Sequence, residues 1–117
     1  MNRLIRRSFS NGRYVDLTAS RGLIAVRGTD RLSVLQNLIT NDIQNLAVLK
    51  VLHAFMLNAK GRVMFDIMLY DVGDETVVEC DRGIMDKVFK HLKMYKIRKQ
   101  MTIEREPSDF TIGHVLG

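Results

Sequence analysis

The chain has 117 residues, with 18 Lys and Arg against 13 Asp and Glu, a formal net charge of +5. Hydrophobic residues make up 46% and charged residues 26%, as in ordinary globular chains, which excludes a collagen-like fibre, a low-complexity array and a disordered tail. A single Cys excludes an internal disulfide and an all-Cys zinc site, and no apolar run approaches the roughly 20 residues that cross a bilayer, so no membrane insertion is expected.

The charge is unevenly placed. Residues 1–13 read MNRLIRRSFSNGR, and Arg3, Arg6, Arg7 and Arg13 supply four of the five excess charges with no acid among them. The segment is Arg-rich and Ser-containing, with Leu4, Ile5 and Phe9 as its apolar residues. This is the composition of an organelle transit peptide, whereas a secretory signal needs a longer apolar stretch. Residues 1–13 are therefore expected to be a mitochondrial presequence, with Leu4 and Ile5 on a helical face shared with Ser8 and Phe9. The alternative is a basic start with no role. Residues 14–117 are the expected folded body.

In the body, Tyr14 to Thr18 alternates as a half-buried strand does, Arg21-Gly22 marks a turn, and Leu23 to Val26 is a second short strand. Thr29 or Asp30 is placed to cap a helix in which Leu32, Leu35, Leu38 and Ile39 recur at helical spacing. Thr40-Asn41-Asp42 breaks it, because short polar side chains compete for the backbone. After a mixed segment, HAFMLN and RVMFDIMLY flank Ala-Lys-Gly as a hairpin. In its second strand Val63, Phe65, Ile67 and Leu69 form one face, expected in the core; Met64, Asp66, Met68 and Tyr70 form the other. A turn around Gly73 leads to a strand from Thr76 to Cys80. A helix then runs from Gly83 or Ile84 to Tyr95, with the apolar stripe Ile84, Met85, Val88, Phe89, Leu92 and Tyr95. Met101 to Glu104 and Phe110 to Val115 are two further extended stretches. Strands and helices mix without a regular βαβ alternation. The expected class is α+β, a mainly antiparallel sheet with two helices. The chain stops at Gly117 directly after an apolar stretch, which reads as the front part of a longer protein.

Asp66 is the most informative side chain. A carboxylate on a largely apolar strand face is costly to desolvate. It either holds a ligand amine or a proton, or the face is half covered and Asp66 meets water or a lysine. Cys80 lies between Glu79 and Asp81, whose negative charge disfavours a thiolate, so it reads as structural. His53, His91 and His114 have no metal-site spacing with it, and no metal centre is expected. Six cations fall between Lys87 and Lys99. The helical lysines lie opposite the apolar stripe and near a helix C-terminus, as on any solvated face, and the preceding acids nearly balance them. Nucleic acid is not the expected partner, although an RNA-binding module is the third reading of this chain. No phosphate-binding, dinucleotide, hydrolase or zinc-protease motif is present.

Several segments in one order carry a family resemblance. They are Val26-Arg27-Gly28-Thr29-Asp30, Leu35-Gln36-Asn37-Leu38-Ile39-Thr40-Asn41-Asp42, Phe55-Met56-Leu57-Asn58-Ala59-Lys60-Gly61-Arg62, Asp66-Ile67-Met68-Leu69-Tyr70, Glu79-Cys80-Asp81 and His91-Leu92-Lys93-Met94-Tyr95-Lys96-Ile97-Arg98-Lys99. In order and spacing the chain resembles the N-terminal half of the mitochondrial iron–sulfur cluster assembly factors related to the folate-dependent aminomethyltransferase (T-protein) of glycine cleavage. The resemblance implies a mitochondrial matrix protein that works with A-type iron–sulfur carrier proteins to mature [4Fe-4S] enzymes, with tetrahydrofolate implicated. It places Asp66 on the transferases' folate-facing carboxylate, Met68 and Tyr70 on neighbouring pocket positions, and His53 on a pocket position that is Tyr in the transferases. The transferases carry two adjacent acids where this chain has Phe65-Asp66, so aminomethyl transfer is the alternative function and no catalytic residue is assigned. The family's Lys-Gly-Cys and Gly-Gln-Glu signature falls beyond position 117. An iron–sulfur cluster is thus expected only with a partner and that Cys, and Cys80 does not take its role.

Overall fold

A computed structural model describes residues 3–7, 14–17, 19–108 and 110–115, with those in 3–7, 14–16, 111 and 113–115 described through their backbone. In chain order the elements are β1 (Arg3–Arg7), β2 (Tyr14–Asp16), β3 (Arg21–Arg27), α1 (Arg31–Leu38), α2 (Gln44–Leu49), β4 (Val51–Leu57), β5 (Val63–Asp71) and β6 (Glu75–Asp81). A single 3-10 turn (Arg82–Ile84) leads into α3 (Met85–Tyr95), followed by β7 (Thr102–Arg105) and β8 (Phe110–Val115). The five-stranded sheet has the order β4-β5-β6-β3-β7 and the three-stranded sheet β1-β8-β2, every pairing antiparallel. The fold is α+β, as the residue patterns imply.

The larger sheet lies between two layers. Its strands alternate, so each contributes to both faces. Ile24 and Val26 of β3, Leu52, Ala54 and Met56 of β4, Phe65, Ile67 and Leu69 of β5 and Val78 and Cys80 of β6 face the helices. There they meet Val34, Leu35 and Leu38 of α1, Leu46 of α2 and Val88 and Leu92 of α3. Each such aliphatic residue, fully buried, contributes roughly 1.5–3 kcal/mol. On the opposite face Leu23, Met68, Tyr70 and Val77 pack against Phe110 and Ile112 of β8, forming a second, smaller core.

Five features differ from the sequence expectations. Arg21-Gly22, expected as a turn, lies within β3, paired with Asp81 and Cys80. The mixed segment before the hairpin contains α2, a third helix whose first N–H, that of Gln44, is accepted by the Asp42 carboxylate at 2.9 Å and whose end is set by Lys50 in the left-handed region at φ 66. Asp30 stands at the start of α1 without capping it; its carboxylate instead accepts the Gln100 N–H at 2.7 Å. Val63, expected in the core, is 61% exposed at the end of the sheet. Arg3–Arg7 is a strand rather than a helical face, paired with β8 from Arg3↔His114 to Arg7↔Phe110. Ser8, Phe9 and the remainder of the expected presequence lie outside the described residues, apart from that strand.

The family-like motifs turn out to be joints. Gly28, at φ +112, lets the chain pass so close to the loop after α3 that a Cβ there would lie 2.2 Å from the Gln100 carbonyl oxygen. The Asn58 carboxamide oxygen accepts the N–H groups of Lys60 (2.9 Å) and Arg62 (3.0 Å), closing the β4–β5 hairpin around Gly61 at φ +79. Thr40 and Asn41 cover the free edge of β4. The Thr40 hydroxyl accepts the Phe55 N–H at 3.0 Å, the Thr40 N–H donates to the Phe55 carbonyl at 3.0 Å, and Asn41 donates to the His53 carbonyl at 3.0 Å. Gln36 fixes this segment from α1 by donating to the Asn41 carbonyl (2.9 Å) and accepting the Ile43 N–H (2.8 Å).

Candidate functional site

The β8 layer covers the second face of the larger sheet only in part. Over β3, β6 and the end of β5, side chains are buried. Toward the start of β5 and along β4 the same face is open: Phe55 is 40% exposed and Met64 45%. Asp66 pairs across the strands with Phe55, and Met68 with His53. That register sets Asp66 and His53 diagonally opposed on one face, within reach of each other. His53 Nε2 lies 2.5 Å from Asp66 Oδ1, and both side chains are largely exposed. The Phe55 ring meets the imidazole edge-on at a centroid distance of 5.0 Å. The open surface is therefore a carboxylate held by an imidazole, bordered by an aromatic ring and a thioether. It offers a hydrogen-bond acceptor beside apolar area.

The four residues singled out in the sequence separate into two pairs. His53 and Asp66 come together on the open surface. Met68 and Tyr70 share their face, as alternation requires, but lie beneath β8 at 5% and 3% exposure. The Tyr70 hydroxyl donates to Glu79 Oε1 at 2.5 Å, and Arg21 Nε also contacts the Glu79 carboxylate. Glu79 has no exposed surface, so this carboxylate is a buried anion stabilised by a guanidinium and a phenol. Its burial was not readable from a strand in which it is one acid among several; only the β3–β6 register brings Arg21 onto its face.

Cys80 is buried against the helices, and burial, ahead of the neighbouring acids Glu79 and Asp81, pushes its thiol up to about 11. It has neither the exposure nor the ionisation of a nucleophile or cluster ligand. His91, given no metal-site spacing by the sequence, is a buried core residue whose Nε2–H donates to the Leu57 carbonyl at 3.0 Å. Among the described residues no group of three His, Cys, Asp or Glu is placed to hold a metal ion. Among the same residues no helix is long and apolar enough to cross a membrane. A separate hollow of about 510 Å³ lies on the helix side, between α1, α2 and the β5–β6 turn, and none of the four site residues lines it.

The family model described as the GCVT N-terminal domain matches residues 14–117. The chain belongs to the GCVT N-terminal domain family. A solved aminomethyltransferase T of the glycine cleavage system from Bartonella henselae superposes with a TM-score of 0.70 at 16% identity, over 85% of this chain and 27% of that one, which shows the shared fold. Among curated relatives, the mitochondrial iron–sulfur cluster assembly factor IBA57 of Mus musculus is 34% identical over 103 residues, 74% of this chain and 28% of its own length. The Homo sapiens protein of the same name is 31% identical over 100 residues, with the same shares. An aminomethyltransferase of Thermoanaerobacter sp. is 44% identical over 84 residues, 71% of this chain and 23% of the relative. This member of the GCVT N-terminal domain family thus spans under a third of the length of these curated relatives, several of which are named mitochondrial.

Proposed function

We propose that this chain is the N-terminal part of a mitochondrial matrix factor that helps mature [4Fe-4S] proteins together with A-type iron–sulfur carriers. The observation that carries this reading is the set of relatives named as iron–sulfur cluster assembly factors at 31–34% identity. The site agrees with it. Where the transferases resembled here carry two adjacent acids, the first position is Phe65, whose side chain is 8% exposed in the helix-side core. Only Asp66 faces outward. Residues 1–13 act in this reading as the import signal. The cluster is cargo handed between partners, and the Cys associated with it lies outside this chain.

Tetrahydrofolate fits the open surface in outline. A reduced pterin presents N–H and amino donors along one edge and an apolar ring face. Asp66 supplies acceptors for the first, and Phe55 with Met64 supplies apolar surface for the second. His53 holds the carboxylate in place through Nε2, and Met68 and Tyr70, on the same face but covered by β8, anchor β5 beside it. The test uses the complete reading frame containing this chain. Its loss should lower mitochondrial [4Fe-4S] enzyme activity, and its product should retain an A-type carrier. Normal enzyme activity in its absence overturns the reading.

The 44% identity to a named aminomethyltransferase favours a second reading, a folate-dependent one-carbon transferase. Bound tetrahydrofolate supplies the nitrogen atoms that take up the one-carbon unit. Here Asp66 would have to orient the pterin without an adjacent acid. Aminomethyl transfer by the purified complete protein, lost on Asp66→Asn, decides for this reading; inactivity decides against it.

A further inference from the structure

The end of α3 and the loop after it build a surface that neither reading uses. Lys90, Lys93, Lys96, Arg98 and Lys99 line a hollow of about 580 Å³ that no acid lines. None of the five makes an ion pair among the described residues, whereas Lys50, Arg21, Arg27, Arg82 and Arg105 are each paired with a carboxylate. Between the cations, Met94 is 61% exposed and Ile97 68%. Like charges gathered on the end of α3 and the short loop after it repel, and two apolar side chains left in water add a further cost. The loop is nevertheless held firmly. Asp30 accepts the Gln100 N–H at 2.7 Å and donates its own N–H to the Gln100 carbonyl at 3.1 Å, and Gly28 lets the two segments lie in contact. Arg98 is kept in the left-handed region at φ 63. A rigid, uncompensated cationic rim around an apolar centre is the complement of an acidic surface bearing an apolar anchor.

We propose that this hollow docks an acidic segment of a partner protein, whose apolar side chain enters between Met94 and Ile97 while its carboxylates meet the lysines. Single-stranded RNA is disfavoured because no aromatic side chain lines the hollow to stack a base. A lipid surface is disfavoured because two apolar side chains at a helix end do not make the continuous apolar face of an interfacial helix. α3 packs on the helix side of the sheet, so a partner docked here leaves the His53–Asp66 surface accessible. The inference stands apart from the folate and cluster readings.

The test is direct binding of three probes to the full chain. They are a short labelled peptide of glutamates carrying two leucines one helical turn apart, a uridine-rich RNA oligonucleotide, and phosphatidylcholine vesicles containing cardiolipin. The peptide should bind with an affinity that falls as salt rises, and Lys93→Glu with Lys96→Glu should weaken it by at least about tenfold. Met94→Ser with Ile97→Ser should weaken it several-fold while leaving the salt dependence and the melting temperature unchanged, since both side chains are exposed. Tighter binding of the RNA or the vesicles than of the peptide overturns the proposal. So does absence of peptide binding, or peptide binding indifferent to the charge reversal.

Discussion

The Tyr70 hydroxyl donates to the Glu79 carboxylate at 2.5 Å in a layer from which water is excluded, and Arg21 contacts the same carboxylate from β3. A buried anion is tolerable only while its donors remain. Arg21→Ala should cost about 3–5 kcal/mol by taking the guanidinium from a buried carboxylate, and Tyr70→Phe about 1–3 kcal/mol by removing one neutral donor. Urea denaturation midpoints should fall in that order. Equal effects would mean that Arg21 contributes no more than a neutral hydrogen bond.

His53 and Asp66 should behave in the opposite way. Both are largely exposed, so His53→Ala and Asp66→Ala should each shift folding stability by no more than about 0.5 kcal/mol. In the complete reading frame, Asp66→Ala should weaken tetrahydrofolate binding by at least about tenfold in titration calorimetry. Unchanged affinity would remove Asp66 from the site.

Cys80 gives a pH signature. Its thiol is pushed up to about 11 from a usual value of 9.0, so above pH 9 the unfolded chain holds fewer protons at this position than the folded one. The stabilisation is complete below pH 9 and declines as pH rises toward 11. The whole effect amounts to no more than about 3 kcal/mol. Denaturant titrations at stepped alkaline pH should show a steeper loss in the parent than in Cys80→Ala. In the folded parent, a thiol reagent should react only as fast as the chain opens.

Gly28→Ala should be destabilising by more than about 1 kcal/mol, because the residue sits at φ +112 and the new methyl meets the Gln100 backbone. Hydrogen exchange at the Gln100 amide, which Asp30 otherwise accepts, should accelerate with it. An unaltered exchange rate would show the loop to be held by other means.

Thr40→Val removes the hydroxyl that accepts the Phe55 N–H and leaves part of the β4 edge uncovered. The expected cost is about 1 kcal/mol, with increased self-association on mild heating seen by light scattering, since an open edge pairs with other chains. A variant that stays monodisperse would show that Asn41, with the bridge of Ile39 to Met56, suffices to cover the edge.

Much of this architecture was legible in local pattern. Alternation in RVMFDIMLY placed Asp66, Met68 and Tyr70 on one face, and the stripe through Val88 and Leu92 placed α3. What decided the site was long-range. Met68 and Tyr70 are buried and Asp66 exposed because β8 crosses one half of the sheet and not the other, and that depends on pairing over most of the chain's length. The composition of the basic start favours a helical face, yet its pairing with β8 makes Arg3–Arg7 a strand. Thr40-Asn41-Asp42 was readable as a helix stop but not as the cover of β4, because the groups it satisfies lie 12 and 15 residues away in sequence.

If residues 1–13 are removed on import, the placement of β1 would link that removal to folding. On the reading of residues 1–13 as an import signal, proteolytic trimming after position 13 would delete the whole of β1 and the register it shares with β8. β8 would keep β2 on one side and present a bare row of amide and carbonyl groups on the other. The precursor and the trimmed protein would then differ in a strand edge next to the layer over Tyr70 and Glu79. Cleavage would turn a completed sheet into one that can accept another strand, from its own downstream sequence or from a second protein.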